Sequence, residues 1–192
     1  MKSPITGTEM SIAHVVKGQK YYRDETGSLF SGCLDQSNMV GGTGNREAHH
    51  EFRADVIGNQ SVLDYGCGRG DFVKFLRDRG IRADGYDPYS EDYNTLITGE
   101  TYDVVTMIEV IEHTCDPYPE LDEILCLLKP GGILFVETSF SNWVTPDHPY
   151  LNPEIGHSTI FSHAGLDALM IKKGYEVGNH VNDNVRFFRK KR

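Results

Sequence analysis

Paired cysteines are absent from this chain. Its 192 residues include four cysteines, Cys33, Cys67, Cys115 and Cys126, and none stands in a C-x-x-C pair. The spacing provides neither a zinc knuckle nor a disulfide framework, so the thiols are expected to be reduced, as in a cytoplasmic protein. Long apolar runs are absent as well. No stretch approaches the roughly 18–20 residues of a membrane span, and the opening MKSPITGTEM lacks the apolar core of a signal peptide. Positive charge is scarce: 19 Lys and Arg face 28 Asp and Glu, a formal net charge of −9. That balance argues against a nucleic-acid backbone as partner. The one basic run, RFFRKKR over residues 186–192, reads as a solvated C-terminal end. Neither a membrane nor a nucleic acid is expected as partner, and nothing in the composition specifies an oligomeric state.

What is present suits a globular chain. Hydrophobic residues make up 39% and charged residues 24%, enough to bury the core of one ordinary domain with a small extra lobe. Residues 1–40 read as that lobe. Gly7, Gly18, Gly27 and Gly32 punctuate short β-prone pieces at residues 14–16 and 19–23, the pattern of small hairpins. Gly41-Gly42-Thr43-Gly44 is a flexible break. Residues 41–192 form the second unit, opening with a helix over 45–57 that Asn45 caps.

From Ser61 the pattern alternates strand and helix. Strands are expected at 62–65, 82–86, 103–108 and 133–136, and helices at 71–79, 120–128 and 162–173. Gly80 ends the first of these helices and Ser162 caps the last. The apolar residues Leu121, Ile124, Leu125 and Leu128 recur at close to the helical period. Lys129-Pro130-Gly131-Gly132 reads as a stop and turn. Residues 175–180 and 185–188 flank Asn182-Asp183-Asn184 as an antiparallel hairpin. The plan is α/β: a doubly wound, mostly parallel sheet with a C-terminal antiparallel hairpin.

The most informative stretch is SVLDYGCGRGDF, residues 61–72. A buried strand runs into Gly66, Gly68 and Gly70 and restarts as a helix. Closely spaced glycines let backbone approach a ligand, and the helix start supplies N–H groups. Three acids fall at strand ends: Asp64, Asp87 and Glu109. Asp87 lies 17 residues beyond Gly70, where a carboxylate can accept from both hydroxyls of a ribose. The alternative for Asp87 is a turn cap, since a proline follows it. A nucleotide-type cofactor site is the leading reading.

VLDYGCGRGDF, GYDPY, YDVVTMIEVIEH and LKPGGILFVET follow one another in order and spacing, and together they resemble the successive motifs of class I S-adenosylmethionine-dependent methyltransferases. The resemblance covers residues 45–192. It implies a Rossmann-like methyltransferase fold and S-adenosyl-L-methionine as cofactor. It places Asp64, Tyr65, Gly66 and Gly68 at the methionine end, Asp87 on the ribose, and Met107, Ile108 and Glu109 beside the reactive centre. One departure stands out. Relatives carry a helix, a strand and an acidic loop after the ribose acid, whereas here only residues 88–102 precede the next strand. Residues 95–98 read as a stub of the missing strand. By position alone, Tyr86, Pro88 and Tyr89 are the candidates for adenine contact.

The N-terminal lobe resembles a zinc-ribbon head found on some sugar and natural-product methyltransferases. Its four ligand positions hold Ser3, Thr6, Arg23 and Thr26, none of which binds zinc, so no structural zinc is expected. The E-x-x-E-H run Glu109, Glu112, His113 is similar to a cluster that can hold a divalent cation in ubiquinone-type O-methyltransferases. The same run occurs in relatives with no metal role, and no metal is expected here.

In this class, alignment of the acceptor does most of the catalytic work, and a general base helps a hydroxyl or ammonium acceptor. His113, His148 and His157 are the candidates. Residues 143–161, WVTPDHPYLNPEIGHSTIF, follow the strand that bears Glu137 and are expected to hang over the cofactor mouth, with Asp147, His148, Tyr150 and His157 facing substrate. The resulting function is methyl transfer to a small molecule such as a sugar or natural-product intermediate. A non-catalytic S-adenosylmethionine-binding module is the alternative. A nicotinamide oxidoreductase fits less well: the turn is G-x-G-x-G rather than G-x-G-x-x-G, and no tyrosine has a lysine four residues on.

Overall fold

A computed structural model of the chain describes residues 9–10, 46–95, 99–114, 116–142, 150, 157, 159–178 and 182–192. The hairpins expected at 14–16 and 19–23, the cap Asn45 and the histidine His148 lie outside the described residues, as does most of the stub expected at 95–98. In chain order the elements are β1 (Glu9–Met10), α1 (Arg46–Ile57), β2 (Val62–Tyr65), α2 (Asp71–Asp78), β3 (Ala83–Tyr86) and β4 (Tyr102–Ile108). A 3-10 turn (Ile111–His113), α3 (Pro117–Leu127), β5 (Leu128–Glu137), β6 (Thr159–Ile160), α4 (His163–Lys172), β7 (Tyr175–Val177) and β8 (Val185–Lys190) complete the order.

Six strands form one sheet in the order β3-β2-β4-β5-β8-β7. The first four are mutually parallel and β8 runs antiparallel to both neighbours. This is the doubly wound α/β sheet with the expected C-terminal hairpin. The strand order reverses between β2 and β4, because β3 lies on one side of β2 and β4 on the other. Ligand crevices in such sheets open at that switch, at the C-terminal strand ends.

Alternating side chains feed two cores, one on each face. Leu63, Val105 and Met107 face α3 and α4, where Leu121, Ile124, Leu166 and Met170 meet them. Val62, Val104 and Phe135 face α1 and α2, meeting Ile57, Val73 and Leu76. Burial on both faces explains why β4 is almost continuously apolar.

Two boundaries differ from expectation for identifiable reasons. Helix α3 begins at Pro117 rather than at residue 120, because the Asp116 side chain accepts the Tyr118 N–H and Pro117 occupies the first turn. Lys129-Pro130-Gly131-Gly132 is not a turn outside the sheet. It is an irregularity within β5: Tyr102 pairs with Leu128 and Val104 with Ile133, and Gly131 takes up the distortion at φ 77°. Elsewhere the caps match: Ser162 Oγ accepts the Gly165 N–H at 3.0 Å, and Gly80 follows α2 at φ 74°.

After β5 the chain leaves the sheet and returns through a narrow neck. Phe140 and Phe161 form a parallel bridge, and the Ser141 N–H donates to the Phe161 carbonyl at 3.0 Å. Beyond that neck β6 pairs antiparallel with β1, Glu9 opposite Ile160 and Met10 opposite Thr159.

At the other end of the sheet one carboxylate pins three strands. Asp103 accepts from the Ser61 N–H at 3.0 Å, the Ser61 hydroxyl at 2.6 Å and Lys129 Nζ at 2.9 Å. The Ser61 hydrogen bond first, and Lys129 next, hold the Asp103 carboxyl down at about 2. Asp103→Ala is expected to destabilise the fold by about 1–2 kcal/mol at neutral pH. Because the folded value lies below the unfolded one, that stabilisation is present above about pH 4 and is lost as pH falls toward 2. Urea denaturation of wild type and variant across this window should show the gap closing.

Candidate cofactor and acceptor site

The site is built where β2 stops. The Gly66 and Cys67 N–H groups both donate to the Tyr86 carbonyl, at 2.6 and 3.1 Å, which ties the turn to the end of β3. Gly66, Gly68 and Gly70 sit at φ 82°, 57° and 76°, a region that side chains rarely adopt. Space reinforces the requirement at Gly66, where an added Cβ would lie 2.4 Å from Val110 Cγ2. Helix α2 starts directly after Gly70 and presents its first N–H groups to the crevice.

Asp87 closes the turn. Its Oδ2 accepts the Gly68 N–H at 3.0 Å and its Oδ1 accepts the Tyr89 N–H at 2.8 Å. A carboxylate has about four lone-pair positions, so it keeps acceptor capacity for a diol. The cap role and the ribose role, alternatives in the sequence, are thus compatible in one side chain. Pro88 beside it is exposed and Tyr86 half-buried.

Asp64 is 4% exposed and its Oδ1 accepts the Thr106 hydroxyl at 2.6 Å. Burial pushes its carboxyl up to about 6, against the opposing pull of Thr106 and Arg53. Arg53 arrives from α1 and grips Glu137, at the end of β5, through two 2.8 Å hydrogen bonds.

Over the end of β4 lies a second polar cluster. Glu109, at φ 53°, is the non-glycine residue among those described that lies in the left-handed region. Its carboxyl is raised well above the usual range by burial first and by Glu112 next. Glu112 is fully buried. It accepts from Thr138 Oγ1 at 2.9 Å and from the Tyr150 hydroxyl at 2.8 Å, while Glu109 lies 3.2 Å from the same hydroxyl. His157 Nδ1 lies 2.9 Å from the Tyr150 carbonyl. A carbonyl only accepts, so Nδ1 carries the proton and Nε2 is the basic nitrogen. His113, half-buried, meets the His157 ring edge-on at 4.8 Å.

The structure therefore brings Asp64, the glycine turn, Asp87 and Glu109 to the C-terminal ends of neighbouring strands, and sets His113 and His157 beside Glu112. The side chains of three further expected cofactor residues face the cores. Met107 has no exposed surface and packs into the core under α3 and α4. Tyr65 points to the same face, where its hydroxyl donates to Glu123 at 2.7 Å. Ile108 is buried against α1 and α2 with 7% exposure. Sequence reading missed the Arg53–Glu137 pair, whose partners are 84 residues apart, and the role of Thr138. The signal for Arg53 was its place in the apolar stripe of α1.

Comparison with known proteins agrees with this fold. The profile of a family described as the methyltransferase domain matches residues 36–180. A ubiquinone biosynthesis O-methyltransferase of Vibrio parahaemolyticus is 31% identical over 109 residues, which are 45% of this chain and 46% of that protein. The chain thus spans about half the length of the curated relatives it matches. Among solved structures, a Burkholderia thailandensis 1,6-didemethyltoxoflavin-N1-methyltransferase with bound S-adenosylhomocysteine aligns at TM-score 0.59 and 18% identity, covering 94% of this chain and 85% of that one. A sugar N-methyltransferase from Streptoalloteichus aligns at TM-score 0.60 and 15% identity, covering 76% and 88%. The fold is that of class I S-adenosylmethionine-dependent methyltransferases. This chain belongs to the methyltransferase-domain family.

The buried acid makes one prediction. With a folded pKa of about 6 against about 4 unfolded, Asp64 costs nothing below about pH 4, and stability falls as pH rises through 6. Asp64→Asn is expected to gain up to about 2–3 kcal/mol at pH 8, while cofactor affinity drops. Thermal melts from pH 4 to 8, read beside calorimetric binding, check both signs.

Proposed function

We propose that the protein transfers a methyl group from S-adenosylmethionine to a hydroxyl or amine of a small molecule, such as a sugar or natural-product intermediate. The observation that carries this reading is the register of Asp64, Asp87 and Glu109 around a glycine turn at the strand-order switch. The residues fit the cofactor by their chemistry. The glycine turn accepts a close backbone approach, Asp87 offers lone pairs to the ribose, and Asp64 and Glu109 present acids to a cationic amino-acid and sulfonium end. Tyr86, Pro88 and Tyr89, which flank Asp87, are the candidates for adenine contact.

When bound, the cofactor supplies a methyl carbon on a sulfonium leaving group. The protein's own task is then alignment, water exclusion and proton removal. His113, half-buried against the His157 ring, and His157 are candidate bases, and His148 is the further candidate. The acidic net charge of −9 supports a small acceptor over a nucleic acid.

Calorimetry with S-adenosylhomocysteine, followed by transfer of labelled methyl to a metabolite extract, tests the reading. Binding with no transfer to any acceptor pool favours a non-catalytic module, and no binding overturns both. Asp87→Ala should weaken binding at least ~10-fold, since one or two charge-assisted hydrogen bonds are worth roughly 1.5–3 kcal/mol each. An unchanged Kd would refute the ribose assignment.

One observation favours a second reading, a divalent cation beside the acceptor. Donor atoms of Glu112, His113 and His157 all lie within 4.8 Å of one another. His157 joins the E-x-x-E-H run from a distant segment, a convergence that spacing within the motif does not reveal. Imidazole and carboxylate suit zinc, iron or manganese. Metal analysis of untagged protein should return close to one equivalent if this reading is right. A content under about a tenth of an equivalent, unchanged in Glu112→Gln, would sink it.

A further inference from the structure

The link from Asp87 to β4 is short, and one of its side chains is wedged beside the glycine turn. Over residues 91–95 every residue is exposed except Tyr93, which is half-buried and packs on the core of the α1–α2 face. Main-chain hydrogen bonds bring it there. The Asp87 N–H donates to the Tyr93 carbonyl at 2.9 Å, and the Ser90 N–H donates to the Asp87 carbonyl at 3.1 Å. With the Tyr89 N–H on Asp87 Oδ1 at 2.8 Å, residues 87–93 close into a loop tied at Asp87.

The Tyr93 ring lies against two glycines from different segments. An added Cβ would lie 2.4 Å from its Cε2 at Gly70 and 2.9 Å from its Cδ1 at Gly85. Gly70 is the last glycine of the turn, and its N–H donates to the Cys67 carbonyl at 2.9 Å. Gly85 sits in β3, one residue before the Tyr86 carbonyl that takes the Gly66 and Cys67 N–H groups. A rigid ring held between the start of α2 and β3 sets their separation, because close-packed interiors relax little. Asp87 depends on that separation: its Oδ2 reaches from the end of β3 across to the Gly68 N–H at 3.0 Å. The absence of a Cβ at Gly70 and Gly85 is thus what admits the ring.

We propose that Tyr93 is the positioning residue of the ribose acid: its carbonyl anchors the Asp87 main chain and its ring fixes the gap between the turn and β3, so that the Asp87 carboxylate is in place before the cofactor arrives. The assignment rests on the cofactor reading above. Tyr93 acts through Asp87 rather than on the ligand. The acceptor is preorganised, so its ordering is met in folding and not in binding. The short link after Asp87 is then part of the binding apparatus, not only a connection from β3 to β4.

Equilibrium binding of two probes tests this: S-adenosylhomocysteine and its 2′,3′-dideoxy analogue, which lacks both ribose hydroxyls. Tyr93→Leu removes the ring and keeps the carbonyl; Tyr93→Met, which fills the gap flexibly, is the second variant if the first folds poorly. Either is expected to weaken S-adenosylhomocysteine at least ~10-fold, the scale of one charge-assisted hydrogen bond. Affinity for the dideoxy analogue should stay within about threefold. In an Asp87→Ala background the same substitution should cost less than about twofold, since residues that act as one unit are not additive. Tyr93→Phe, which restores the ring, should recover wild-type affinity to within about twofold. Unchanged S-adenosylhomocysteine affinity in the ring-less variant overturns the assignment. So does an equal loss for both probes, or a full further loss on top of Asp87→Ala, either of which would make Tyr93 a support of the fold and nothing more. If wild type binds the two probes equally, Asp87 does not hold the ribose and the assignment falls while the cofactor reading stands. If wild type binds neither, the cofactor reading itself fails.

Discussion

Strand order in this sheet reverses at the boundary between β2 and β4, and that constraint governs the rest of the molecule. Crossovers from β2 and β4 depart in opposite directions, which opens a crevice between their C-terminal ends. Whatever lines the gap must come from strand termini and the turns that follow them. Asp64, Gly66, Asp87 and Glu109 are all residues of that kind. The sheet fixes their spacing to the width of neighbouring strands, and the Asp103–Ser61–Lys129 cluster at the opposite end holds the strands in register.

The site pays for its chemistry in local strain and buried charge. Glu109 adopts a backbone conformation that favours glycine, and its carboxyl lies beside that of Glu112 under Tyr150. Asp64 is sealed against Thr106. Such groups are costly in a stable apolar interior, and here they gather at one crevice rather than scatter through the cores. The two hydrophobic clusters on either face carry the fold, which leaves the strand ends free to hold unfavourable residues.

Much of this was legible in the sequence because it depends on local pattern. The strand–glycine–helix passage around Gly66, the Ser162 cap and the Asn182–Asn184 hairpin each arise from neighbouring residues, and the structure matches them. The early start of α3 was equally local, encoded in Asp116-Pro117, and was passed over in favour of apolar periodicity. What the sequence concealed depends on contacts between distant segments. Arg53 and Glu137 meet only because α1 packs across the sheet end. His157 approaches Glu112 and His113 only because the chain after β5 folds back. The irregularity of β5 at Gly131 is intermediate: glycine and proline signal a break, but only pairing with β4 decides that the break stays inside the strand.

The neck formed by Phe140 and Phe161 has an evolutionary consequence. Chain that leaves and re-enters a fold at one point can lengthen or shorten without moving the elements on either side. Doubling the length of such an excursion costs only about 0.6 kcal/mol of closure entropy. The segment between these two phenylalanines is therefore tethered to the sheet at its base, and within it Tyr150 and Thr159 are the described residues whose hydrogen bonds to Glu112 and Thr114 a substitution would have to preserve.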